Sequence, residues 1–212
     1  MKVSERKGAL DRAKLYLVAP GELPLDLLQS VIEAGVDVVQ LRMKDADAAE
    51  IIEIGDQFRG ECERANVLFV VNDRPDIALA LGADGVHLGQ DDVPPAVARD
   101  IVGPDVVIGR STHSIDDIER ARQEHGDGVA DYIAVGPVYE TPTAPGRPGV
   151  GLDLLGTAAE TVGFPWFAIG GINPRNVGGI VEAGARRIVV VRAITEAADP
   201  IGAVEQLRAA LR

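Results

Sequence analysis

The apolar run VLFVV (67 to 71) stops at Asn72 and Asp73, and GVHL (85 to 88) leads into Gln90, Asp91 and Asp92. Two apolar segments that each end in acid form two walls of one polar site. Carboxylates in that position suit Mg2+, which takes one or two protein carboxylates and completes its shell with water and phosphate oxygens. Asp73 and Asp92 are the candidate ligands. A plainer role is open to each: Asp73 as the cap of the helix in RPDIALAL, Asp92 as the cap of a helix starting near Pro94.

In QLRMKD, an extended chain would turn Gln40, Arg42 and Lys44 to one side and Leu41 and Met43 to the other. Two cations facing one way make an anion site, with a solvated strand end as the alternative. His87 ends its apolar run as a lone histidine, either a satisfied structural group or a catalytic one. Arg110, Ser111 and His113 follow the run VVIG, and Gly170 and Gly171 follow WFAI, ahead of a helix expected to start near Pro174. Glycines there let backbone N–H groups approach a phosphate, although a tight turn needing positive φ would also select them. Val191 and Arg192 complete that corner. The one long irregular stretch, YETPTAPGRPGVG (139 to 151), holds Thr141, Thr143 and Arg147 and is long enough to be a functional lid. Two anion pockets emerge, one cationic and metal-assisted, one built of backbone amides. Two phosphorylated substrates would fill them, and so would one bisphosphate.

Positioning these groups requires elements that deliver them to one end. Eight β-rich runs recur: KLYLVA (14 to 19), DVVQLR (37 to 42), VLFVV (67 to 71), GVHL (85 to 88), VVIG (106 to 109), YIAVG (132 to 136), WFAIG (166 to 170) and RIVVV (187 to 191). Between them lie segments of helical spacing, such as LPLDLLQSVIEAG with Leu25, Leu28 and Ile32 on one side. Strands too apolar to have a wet face are buried on both sides, so the pattern predicts an α/β fold, a (β/α)8 TIM barrel with its site at the C-terminal strand ends. An open doubly wound sheet is the alternative. Residues 1–212 are expected to form a single TIM-barrel domain, with 1–13 an N-terminal extension or helix.

The net charge of −12 opposes a nucleic-acid or anionic-membrane surface, since a polyanion is repelled at long range. Cys62 is the one cysteine, so no disulfide framework exists within the chain, which fits a reducing compartment. It lies in the charged segment RGECERAN and reads as a bystander rather than a nucleophile. The first residues, MKVSERKGALDRAK, lack the apolar segment an export signal needs, and 18 uninterrupted apolar residues occur nowhere. A cytoplasmic protein with small-molecule substrates is expected, with no nucleic acid and no membrane as partner; a homo-oligomer stays open.

Taken together, QLRMKD, VNDRPDIALALGADGVHLGQDD, GRSTHS, GPVYETPT and IGGIN, in this order and spacing, resemble the thiamine phosphate synthase family over nearly the whole chain. The resemblance implies a transferase that joins an aminopyrimidine methyl diphosphate to thiazole phosphate. Diphosphate leaves, a pyrimidinylmethyl cation forms, and the thiazole nitrogen captures it, so no general base is needed. It implies that Gln40, Arg42, Lys44 and Asn72 contact the pyrimidine diphosphate, that Asp73 and Asp92 bind Mg2+, and that Ser111 contacts the diphosphate or the pyrimidine. Arg42, Lys44 and Ser111 would then be the catalytic groups. Thr141, Thr143, the Gly171 amide and the backbone around Val191 and Arg192 would hold the thiazole phosphate. In the family a lysine usually follows the second threonine; here Ala144 does, and Arg147 is the expected substitute cation. Arg192 stands where many relatives have serine.

Two rivals remain. A thiazole tautomerase of the same barrel would use His113 as acid or base, and a non-catalytic paralogue would bind a thiamine precursor. Ribulose phosphate epimerases share the strand-end acids and GGI but not QLRMKD or GPVYETPT.

Overall fold

The computed structural model describes residues 3–142, 146 and 148–212. Eight strands close into a parallel barrel in sequence order: β1 (Leu15–Ala19), β2 (Val38–Leu41), β3 (Leu68–Asn72), β4 (Gly85–Leu88), β5 (Val107–Thr112), β6 (Tyr132–Val135), β7 (Trp166–Ile169) and β8 (Ile188–Val190). Each corresponds to a run anticipated from sequence. Helices alternate with them, and the expected N-terminal helix is α1 (Val3–Arg12). In α2 (Leu25–Ala34), Leu28, Val31 and Ile32 are buried, whereas Leu25 is only half-buried.

Residues alternate between two cores. Leu17, Val39, Val71, Val86, Ile108 and Ile133 pack outward against the helices, while Tyr16, Val38, Val70, Val107, Tyr132 and Phe167 fill the barrel. Leu10 of α1 and Ala13 join the inner cluster and close its lower end. Three aromatic rings occupy the middle: Phe167 meets Tyr16 and Tyr132 edge-on at centroid distances of 5.5 and 5.6 Å. Gly109 makes room for them, since a Cβ there would lie 2.1 Å from Tyr132 Cζ.

The lower rim is stapled by three aspartates that immediately precede β2, β4 and β6. Asp37 accepts the Lys14 and Leu15 N–H groups at 2.7 and 2.9 Å and pairs with Arg208. Asp84 accepts the Phe69 N–H at 3.1 Å and Arg6 at 2.8 Å. Asp131 accepts the Ile108 N–H at 2.9 Å and Arg99 at 2.6 Å, with Lys7 3.0 Å away. Each carboxylate thus satisfies a backbone donor where a strand begins and ties it to a cation outside the sheet.

Two boundaries differ from the sequence reading. Strand β5 runs three residues past Gly109, to Thr112, because Arg110, Ser111 and Thr112 keep their ladder with Ile133, Ala134 and Val135. The helix expected near Pro174 begins at Val177: α8 (Val177–Glu182) is preceded by a turn in which the Asn173 and Asn176 side chains take up backbone groups. Among the described residues no helix is long and apolar enough to cross a membrane.

Asp131 is the tightest staple, at 8% exposure. Asp131→Ala, which strands Arg99 without its acid, is expected to lower stability by about 3 kcal/mol in urea unfolding. Asp56→Ala, which breaks only an exposed pair with Arg59, should change it by no more than about 0.5 kcal/mol.

Candidate active site

A cavity of about 850 Å³ opens at the C-terminal ends of the strands. Gln40, Arg42, Lys44, Asn72, Asp73, Asp92, Ser111, Thr141, Gly171, Val191 and Arg192 all line it. Thr143, Ala144 and Arg147 lie outside the described residues. The pleat explains the first group: Gln40 points into the barrel, Leu41 packs outward, and the chain beyond β2 carries Arg42 and Lys44 over the mouth.

Asp73 and Asp92 come together from the ends of β3 and β4. Asp73 has φ of 62°, which non-glycine residues rarely adopt, and sits at the centre of a three-residue turn closed by Arg74 N–H to Asn72 O at 2.8 Å. Its own N–H donates to His87 O at 2.8 Å. Burial, then the hydrogen bond and charge of Asp92, push the Asp73 carboxyl up to about 6, while Lys44 and Arg42 pull it down. Lys44 Nζ is 3.9 Å from Asp73 Oδ2. Asp92 Oδ2 accepts the Gly89 N–H at 2.6 Å.

Neither acid caps a helix. In α4 (Pro75–Leu81) and α5 (Pro95–Val102) the cap positions belong to Arg74 and Pro94, and neither makes a side-chain cap bond. The capping alternative is therefore replaced by an acid pair. Such a pair, close enough for Asp92 to raise the Asp73 carboxyl, has the donor chemistry of a Mg2+ site. Among the described residues no group of three or more His, Cys, Asp or Glu side chains could hold a metal.

Arg110, on the outer side of β5, holds the Asp92 loop from behind. It donates to Gly89 O at 2.6 Å and to Gln90 Oε1 at 3.4 Å, and Gln90 Nε2 in turn donates to Ser111 O. At the other corner, Gly170 and Gly171 have φ of 107° and 67°. The Asn173 and Asn176 amides donate to Gly171 O at 3.2 and 2.9 Å, which fixes the turn. Glycine is required twice over at Gly171, because a Cβ would meet Tyr139 Cβ at 2.8 Å.

His113 lines the cavity, its Nδ1 against Gly136 O. His87 is buried in the barrel with both ring nitrogens bonded, to Tyr132 and Ser111. Burial lowers it to about 4, so the ring is neutral at pH 7. Cys62 is buried among apolar groups and its thiol is pushed up by burial, which agrees with an inert residue. Sequence reasoning passed over Tyr16, Tyr132 and Arg175. Tyr16 and Arg175 line the cavity, and Tyr132 lies just beneath, bonded to His87. A tyrosine amid aliphatic strand residues was the available signal for the first two; Arg175 carried none.

Residues 15–194 match the family model for thiamine monophosphate synthase. The thiamine-phosphate synthase of Acidothermus cellulolyticus is 50% identical over 211 residues, covering 97% of this chain and 98% of its own. That of Thermus thermophilus is 50% identical over 202 residues, covering 92% and 95%. The solved thiamine phosphate pyrophosphorylase from Pyrococcus furiosus superposes with a TM-score of 0.85 at 35% identity, over 95% of this chain and 96% of that one. A 3-hexulose-6-phosphate synthase, at TM-score 0.67 and 22% identity, shares the fold alone. The chain belongs to the thiamine monophosphate synthase family.

Proposed function

We infer that this barrel condenses 4-amino-2-methyl-5-pyrimidinylmethyl diphosphate with thiazole phosphate, giving thiamine phosphate and pyrophosphate, and that it does so in the cytoplasm. The observation that carries the reading is the Asp73–Asp92 carboxyl pair beside Arg42 and Lys44 in one cavity. Acids and cations together fit a diphosphate with its metal better than they fit either a bare cation or a bare anion.

Asp73 and Asp92 would hold Mg2+, which would supply positive charge to the departing diphosphate. Arg42 and Lys44 neutralise the same leaving group from the end of β2, Arg42 with a planar fork and Lys44 as a point charge. Gln40, Asn72 and Ser111 orient the pyrimidine diphosphate from the barrel wall. Thr141, Thr143, the Gly171 amide and the backbone at Val191 and Arg192 hold the thiazole phosphate opposite. The thiazole nitrogen has a lone pair and no proton to lose, so the protein's tasks are charge stabilisation and alignment. Arg147 replaces the missing ammonium at Ala144.

A coupling assay with both phosphorylated halves tests the reading. Product is expected with Mg2+ and none with excess EDTA, and Asp92→Asn should lower kcat about a hundredfold or more. Undiminished turnover in chelator would sink the acid-pair mechanism.

Arg147→Ala should lower kcat about tenfold or more without moving the unfolding midpoint, and Ala144→Lys should restore the loss. Unchanged kinetics in Arg147→Ala would remove that residue from the leaving-group site.

The Asp73 shift sets a pH signature. Its folded value, about 6, lies above the ordinary carboxylate range, so the protonated acid favours the folded state. That contribution is complete below about pH 4 and is lost as pH rises through about 6. In EDTA, Asp73→Asn should therefore raise the unfolding temperature at pH 7.5 and leave it nearly unchanged at pH 4, while abolishing turnover. A variant equally stabilised at both pH values would mean that the two carboxyls do not oppose each other.

A further inference from the structure

Five polar side chains form one unbroken line across the barrel beneath the cavity. Gln40 Nε2 donates to the Tyr16 hydroxyl at 2.7 Å, and the Tyr16 and Tyr132 hydroxyls are 2.9 Å apart. Tyr132 meets His87 Nδ1 at 3.0 Å, and His87 Nε2 meets Ser111 Oγ at 3.0 Å. The line crosses the interior from β2 to β5. Both of its ends, Gln40 and Ser111, line the cavity. Its two phenols are almost fully buried, at 1% and 0% exposure.

Hydrogen counting gives the line a direction. A hydroxyl carries one hydrogen, and an amide N–H can only donate. Tyr16 accepts from Gln40, so its own proton goes to Tyr132; the reverse would leave a buried Tyr16 proton with no acceptor among the described residues. Tyr132 then donates to His87 Nδ1. That nitrogen is therefore the one without hydrogen, and the ring's single N–H sits on Nε2, aimed at Ser111 Oγ. Ser111 accepts inside the line, which leaves its own hydrogen for the cavity. Burial reinforces the pattern, because it disfavours a charged imidazole and both phenolates.

We propose that Tyr16, Tyr132 and His87 are positioning residues, a one-way hydrogen-bond relay that holds His87 as its Nε2–H tautomer and turns the Ser111 proton toward an acceptor atom of the pyrimidine diphosphate. The substrate assignment rests on the proposed function; the polarity of the line does not. Gln40 sets the direction. Replacing its amide by a carboxylate converts the first group from donor to acceptor, and every bond behind it must then reverse: Tyr16 to the new acid, Tyr132 to Tyr16, His87 Nδ1–H to Tyr132, and Ser111 to His87 Nε2.

Long-range 15N–1H spectra of the substrate-free protein at neutral pH read the tautomer directly, with the His87 signal assigned by its loss in His87→Gln. Wild type is expected to carry the proton on Nε2 and Gln40→Glu on Nδ1. Tyr132→Phe, which interrupts the line without changing the ring, should raise KM for the pyrimidine diphosphate about tenfold, with kcat and the KM for thiazole phosphate within about twofold. In a Ser111→Ala background the same change should add nothing, since its effect runs through that hydroxyl. A wild-type His87 protonated on Nδ1, a tautomer unmoved by Gln40→Glu, or a full additional loss in the double variant would overturn the relay. A wild-type protein that forms no thiamine phosphate would overturn the proposed reaction instead, because the tautomer is read without substrate.

Discussion

The interior of an eight-stranded barrel is only a few side chains wide, and here three aromatic rings occupy its middle. That choice governs what lies on either side. Below the rings Leu10 and Ala13 close the barrel; above them the interior opens into the cavity. Two of the rings are phenols, so the plug is also a polar seam in an apolar core. A buried hydroxyl without a partner costs about 1 to 3 kcal/mol, and the seam is stable only if it is continued to groups that can end it. Gln40 and His87 continue it. Gly109 is the steric counterpart: the phenol of Tyr132 fits because its neighbour has no side chain.

At the mouth the chain accepts unfavourable local terms. Asp73 adopts a left-handed backbone and lies against a second carboxyl, arrangements that cost energy in an empty site and persist because neighbouring structure enforces them. The Asp73 N–H is held by the His87 carbonyl, and the Asp92 loop is held from behind by Arg110. His87 therefore joins the two regions, its backbone fixing the acid at the mouth while its side chain belongs to the seam below. Strand pairing makes this inevitable, since Asn72 and His87 are partners in the β3–β4 ladder.

The barrel was legible because each strand is a run of apolar residues and each connection carries helical spacing, signals that survive without tertiary context. The strand-end polar residues were legible for the same reason: an amide or acid that ends an apolar run stands out. Where pairing, rather than composition, decides, the reading failed. Strand β5 continues through Arg110 and Ser111 because their backbones keep a ladder that polar side chains do not advertise. The helix after Gly171 starts late because Asn173 and Asn176 build a turn before it. Asp37, Asp84 and Asp131 carry no signal of their role in the sequence, and only the fold places a backbone N–H and a cation on each. Tyr16 and Tyr132 stand inside apolar strand runs, which accounts for their burial, yet the hydrogen bond between residues so far apart in sequence is visible only in three dimensions.

The remaining constraint is the sign of the charge. A chain of net charge −12 repels the anionic substrates that this family's chemistry requires, so attraction has to be local. Arg42, Lys44, Arg175 and Arg192 line the cavity beside Asp45, Asp73, Asp91, Asp92 and Glu196, so cations offset the acids there, and a cleft with low-dielectric walls focuses their field. Their attachments differ in a way that suits capture. Lys44, half exposed, is held to Asp73 only at 3.9 Å, and Arg192 to Glu196 at 3.6 Å. Such exposed pairs are worth little, so either cation turns to an incoming phosphate at small cost. Deeper in the site the acids and amides are fixed by backbone and ladder. The cavity is thus adaptable where charge is first met and rigid where atoms must be aligned.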